Sequence, residues 1–234
     1  MKWFHISGAL GVVLLVVGHG MGLFVAPPEA MMGDVGRILY AHVSTAWISL
    51  VAFLLSFFAA IGALWSGRRS WDASVVGFVE VGVVLTALLL FQGSVWAKPT
   101  WGVWWTWDPR LTTSAILLVA FTAVLLLRSV IDQPERRMLV TSVATIVAFV
   151  DVPIVYMSIK WWNSLHQDFS SPETVSTYMV TPLRISAFGM LFLMLGFVGM
   201  RRRIELTRLE KEWSLQPPPE RPATLNLSDE GTQS

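Results

Sequence analysis

Cysteine is absent from the 234 residues. That excludes disulfides, thiolate metal sites, thiol redox chemistry and covalent CxxCH attachment of a cofactor within this chain. Charge is scarce: 14% of residues are Asp, Glu, Lys or Arg, against about a quarter in soluble domains. The net charge of +1 gives no reason to expect nucleic acid or an acidic substrate as partner. No G-x-x-x-x-G-K-[ST] phosphate loop occurs, so nucleotide hydrolysis is not expected of this chain. There is no repeat of fixed period, and the period-two alternation of a membrane β-barrel is missing.

What is present is apolar length: 54% of the residues are hydrophobic. A helix crosses the hydrocarbon core with about 20 apolar residues, so a chain of this size holds roughly five to seven spans. Six are predicted, over Ile6–Val25, His42–Trp65, Ser74–Val95, Leu111–Leu127, Met138–Ile159 and Leu183–Met200. Helices are the expected solution because backbone groups cannot stay unpaired in lipid. The N-terminal run is too long for a signal peptide and lacks a small-residue cleavage site, so it is read as a retained span. The expected fold is therefore an all-α integral membrane protein, a six-transmembrane-helix bundle occupying residues 1–200. Residues 201–234 are expected to form a cytoplasmic tail, basic at first, helical to about Leu215 and then, from its Pro-rich and polar composition, disordered.

Lys and Arg set the orientation. Twelve fall on one side (Lys2, Arg68, Arg69, Arg128, Arg136, Arg137, Arg201, Arg202, Arg203, Arg208, Lys211 and Arg221) and five on the other (Arg37, Lys98, Arg110, Lys160 and Arg184). Both termini are expected in the cytoplasm. Three loops then share the outer side: "APPEAMMGDVGRILYAH", the tryptophan-rich segment 96–112, and "KWWNSLHQDFSSPETVSTYMVTP".

Five of the chain's twelve tryptophans lie at positions 96, 101, 104, 105 and 107. Tryptophan is common where helices leave a membrane, but an anchor needs fewer. On a helix, Trp101, Trp104, Trp105 and Asp108 would share one face, forming an aromatic platform suited to a large flat apolar ligand. Both readings, belt and platform, remain open on spacing alone. "WDPRL" also reads as a helix start, with Asp108 at the N-cap and Pro109 at the first helical position. "TPLRI" at Thr181–Pro182 reads the same way for the sixth span.

Of four histidines, His5 reads as interfacial and His19 as a packed, hydrogen-bonded residue of the first span. His42 and His166 both fall on the tryptophan side. Neutral imidazole is a common iron ligand, and no cysteine or carboxylate joins the pair in a zinc-like spacing. Two imidazoles beside an aromatic platform suggest a flat metallated macrocycle, haem. Its propionates require cations, and Arg110 and Arg184 are the candidates, since guanidinium pairs well with carboxylate. Two acids, Glu80 and Asp151, lie within predicted spans; Asp151 precedes Pro153, where a cavity or helix break is expected.

"WGVWWTWDPRLT", Trp101 to Thr112, resembles the tryptophan-rich WWD signature of haem-handling membrane proteins. "DVPIVYMSIKWWNSLHQ", Asp151 to Gln167, resembles the companion motif of the CcmC family, the haem-handling protein C of bacterial cytochrome c maturation. The resemblance covers essentially residues 1–200, and the CcmF and CcsA relatives have more spans than this chain holds. It implies His42 and His166 as axial haem ligands, so metal-bound, and Trp101, Trp104, Trp105, Trp107 and Asp108 as the WWD segment. It implies a non-covalent, transient haem b (iron protoporphyrin IX) at the periplasmic face of the inner membrane. The haem would pass to the haem chaperone CcmE, with the ABC transporter pair CcmA and CcmB and the small membrane subunit CcmD as partners. Any ATP hydrolysis would belong to a partner, and the chain would be a binding and transfer subunit rather than an enzyme. Two other readings of the residues are an electron-transfer subunit with a permanent b-type haem and an aromatic-cage transporter of a cationic solute. One-sided histidines disfavour the first, and a single proline-interrupted span disfavours the second.

Overall fold

The computed structural model describes residues 2–166 and 177–214. Seven helices make six membrane-length spans: α1 Trp3–Phe24, α2 Leu39–Ser66, α3 Arg69–Trp101, α4 Pro109–Ser129, α5 Pro134–Phe149, α6 Asp151–Trp161 and α7 Thr177–Ser214. Helices α5 and α6 together form one span. A 3-10 turn, Asp34–Ile38, leads into α2. The chain is a multi-pass, all-helical membrane protein, as its apolar windows require.

Local chemistry sets the ends. Gly67 (φ 61°) and Gly102 (φ 79°) take left-handed conformations that stop α2 and α3. Pro134 opens α5 at the position where its missing N–H costs nothing. The Arg37 guanidinium donates to the carbonyls of Gly22 and Ala26 and so closes the end of α1. The break in the fifth span falls at Val150, and Pro153 lies in the first turn of α6, where no intrahelical donor is needed. Pro182 does not start the sixth span, as "TPLRI" suggested. It lies inside α7, which runs without interruption past Met200 to Ser214.

Packing follows membrane rules, in which close backbone approach replaces hydrophobic drive. Helix α1 packs chiefly on α7, and α2 on α3. A Cβ at Gly11 would lie 2.5 Å from the Leu193 nitrogen, and one at Gly196 would lie 2.8 Å from the Gly8 Cα. His19 sits in this α1–α7 contact, its Nδ1 2.9 Å from the Leu15 carbonyl oxygen, which agrees with a packed histidine. The end of the bundle opposite the tryptophans is held by ions. Arg128 of α4 is buried and donates to Asp72 of α3 at 2.8 Å and to Glu205 of α7 at 2.9 Å. Glu80 pairs with Arg201, and Arg137 with Glu212. Glu80 is thus a structural partner between α3 and α7.

Candidate functional site

A cavity of about 570 Å³ opens among α2, α3, α4 and α6 at the tryptophan end, within the roughly 300–1,000 Å³ range of small-molecule sites. The helix break creates it. Helix α5 packs along α2, but beyond Val150 the span leans toward α4, and α6 barely touches α2. Phe53 of α2 stacks on Phe121 of α4 with ring centres 3.8 Å apart, both fully buried in the packed core rather than among the cavity's described lining residues. The walls below the mouth are aliphatic, from Leu50, Leu54, Leu89, Leu90 and Leu117 among others.

His42 and His166 both line the cavity. Their ring centres are 6.4 Å apart, with planes inclined by 31°. With metal–imidazole bonds of about 2 Å, two trans imidazoles on one metal have ring centres roughly 6–6.5 Å apart. The Nδ1 of His42 is buried and has no hydrogen-bond partner. A Cβ at position 93 would lie 3.3 Å from the His42 Cε1, so Gly93 leaves the ring a close fit. Among the described residues no group of three or more His, Asp or Glu converges. The protein therefore brings two nitrogen ligands to this point, too few for a closed structural metal site, and suited to a metal whose remaining ligands come with it.

The tryptophans divide. Trp96, Trp101 and Trp105 line the cavity. Trp104 and Trp107 are 58% and 82% exposed and are not among its described lining residues. The single helical face expected for Trp101, Trp104, Trp105 and Asp108 does not form. Gly102 ends α3 directly after Trp101, and no helix resumes until Pro109. The aromatic surface is instead made by the end of α3 and the irregular segment after it. Trp96 opens the tryptophan-rich segment but lies outside both the helical face of Trp101, Trp104, Trp105 and Asp108 and the Trp101–Thr112 motif, so it is not among the expected site residues. It is 7% exposed, its Nε1 has no hydrogen-bond partner, and its ring centre is 6.3 Å from that of His166.

Asp108 does more than cap α4. Its Oδ1 accepts from the Arg110 amide at 2.8 Å, as an N-cap should. The same buried carboxylate accepts from the Ser164 hydroxyl at 2.8 Å and the Leu165 amide at 2.7 Å. Asp108 thereby fixes the loop that carries His166. Its partners lie 56 and 57 residues away, so no local pattern could disclose them.

Arg110 borders the cavity, and its NH1 donates to the carbonyls of Val155 (3.1 Å) and Tyr156 (3.2 Å) on α6. It joins α4 to α6 and places a positive charge at the cavity wall. Arg184 is exposed on α7 and is not among the described lining residues. Asp151 begins α6, and its Oδ2 is buried without a hydrogen-bond partner. Residues 167–176, which follow His166 in the chain, fall outside the described residues.

The family model described as Heme exporter protein C (CcmC) matches residues 1–215. The Escherichia coli K12 Heme exporter protein C is 34% identical over 213 residues, covering 90% of this chain and 85% of that protein. The Bradyrhizobium diazoefficiens Heme exporter protein C is 30% identical over 214 residues, covering 89% and 81%. A Marchantia polymorpha "cytochrome c biosynthesis ccmC-like mitochondrial protein" is 30% identical over 173 residues, covering 74% and 71%.

Proposed function

The chain belongs to the Heme exporter protein C family, and on that premise we propose that it handles haem for cytochrome c maturation. Haem is held between His42 and His166 at the outer face of the cytoplasmic membrane. The excess of Lys and Arg at the opposite end, eleven against five among the described residues, supports this orientation. The observation that carries the proposal is the 6.4 Å separation of two imidazoles in a cavity walled by Trp96, Trp101 and Trp105.

His42 and His166 would supply the two imidazoles that hold the haem iron. The indoles and aliphatic walls exclude water from the macrocycle, and Arg110 offers a cation to a propionate. The same charge disfavours a cationic solute. His42 is borne by a helix, whereas His166 is borne by a loop held through Asp108. The loop ligand is the one that yields when the chaperone CcmE docks at this end and takes the haem. Ligation of this accessible kind suits transfer, because the lifetime of the complex is set by how readily it dissociates. CcmA, CcmB and CcmD are the expected partners, and they supply any ATP hydrolysis.

Haem spectra of the purified His42→Ala and His166→Ala proteins test the proposal. Each is expected to lose the low-spin bis-imidazole spectrum and to bind haem at least tenfold more weakly. Wild-type spectra and affinity in both would refute the ligand assignment.

A further inference from the structure

The cavity is bounded on one side by a seam between α2 and α6. Val43, Ala46, Trp47, Leu50 and Leu54 line it from α2, and Val152, Pro153, Tyr156 and Ile159 from α6. These helices barely touch, because the break at Val150 turns α6 away from α2. Three of the lining residues are well exposed: Trp47 is 42% exposed, Leu54 39% and Tyr156 50%. The α2 face that carries Trp47 and Leu54 continues through Phe58 and Ile61, 56% and 37% exposed. All four belong to a span, so the exposed surface faces acyl chains rather than water.

We propose that the α2–α6 seam is a lateral port through which haem dissolved in the bilayer enters the cavity. This rests on the haem-handling reading above and adds the direction from which haem comes. Protoporphyrin is a flat apolar plate with both carboxylates on one edge. The seam presents apolar and aromatic side chains to the apolar edge. The cation of Arg110 and the two imidazoles lie at the tryptophan end, where the carboxylate edge remains near polar headgroups. A plate entering edge-on needs two helices to part, and a seam with few contacts between them resists this least.

The absence of cysteine makes the test direct. The Trp47→Cys, Tyr156→Cys double variant in lipid vesicles carries the chain's only two thiols. A flexible bis-maleimide with an internal reducible bond ties the seam shut. Haem dissolved in the vesicles is then offered before crosslinking, after it, and after reductive cleavage. Uptake is expected to slow at least tenfold on crosslinking and to recover on cleavage. Protein loaded before crosslinking should keep its haem spectrum, which separates a closed port from a damaged site. A Val103→Cys protein, altered at an exposed position of the segment after α3 and carrying a bulky polyethylene glycol maleimide, shields the polar mouth instead and should load at the unshielded rate. Equal uptake with the seam tied or free overturns the port, as does loss of uptake only when the mouth is shielded. Failure of the uncrosslinked double variant and the wild type alike to bind haem would instead overturn the haem-handling reading.

Discussion

Replacing Asp108 with asparagine separates its two roles. Asparagine caps helices about as well as aspartate, so the start of α4 should persist and any loss of thermal stability should come from the His166 loop. The loop cannot be satisfied in the same way. The carboxylate accepts from the Arg110 amide on one oxygen and from the Ser164 hydroxyl and Leu165 amide on the other. An amide has one oxygen, so whichever way it is turned, its NH2 faces an N–H. Hydrogen bonds to a charged group contribute about 1.5–3 kcal/mol each. Losing one, with partial weakening of a second, frees the His166 loop by about 2–3 kcal/mol. At 1.4 kcal/mol per decade this is a ceiling of roughly 30- to 150-fold in haem affinity. Part of it is recovered when iron recaptures the imidazole, so a fall of about tenfold or more is expected. Ferric haem should shift from a low-spin to a partly high-spin spectrum. Haem titration in detergent with parallel thermal unfolding is the assay. Asp108→Ala should lose the haem site and also about 1 kcal/mol of cap. An Asp108→Asn protein with wild-type affinity and a wild-type spectrum would refute the claim that this carboxylate positions His166.

Gly93→Val should drive the His42 ring from its place, because even a Cβ would lie 3.3 Å from Cε1. The variant is expected to insert normally and to lose the bis-imidazole spectrum in absorption measurements. Arg128→Met leaves Asp72 and Glu205 buried without their cation. Breaking a buried pair costs about 3–5 kcal/mol, so the thermal unfolding midpoint should drop clearly. The surviving folded fraction should still show the wild-type haem spectrum, since this network is at the opposite end from His42.

The six spans were legible because the hydrocarbon thickness imposes one length on every span. The pairing of tryptophans with two histidines was also legible, since both types stand out at one end of an apolar chain. Where sequence reading failed, the missing information was non-local or conformational. The helical spacing of Trp101, Trp104 and Trp105 was real, but one left-handed glycine at 102 cancels it. Pro153 drew attention to the fifth span, yet the break sits upstream at Val150, because a proline in a first turn needs no donor. Arg128 and Arg201 were counted as loop cations, while their carboxylate partners lie 56 to 121 residues away in sequence. Trp96 belongs to the tryptophan cluster but stands five residues before Trp101, off the helical spacing and the motif that marked the others.

The glycine contact between α1 and α7 has a consequence for how the protein is made. The first span emerges early, but its principal neighbour is the last to be synthesised, from Thr177 onward. At about 5–20 residues per second, α1 waits in the lipid for roughly 8–30 s. During that interval its small-residue groove has no mate, and any chain that stops before Thr177 never supplies one. Premature termination thus leaves a tell-tale orphan helix in the membrane, a mark by which a protease could distinguish unfinished chains from complete ones.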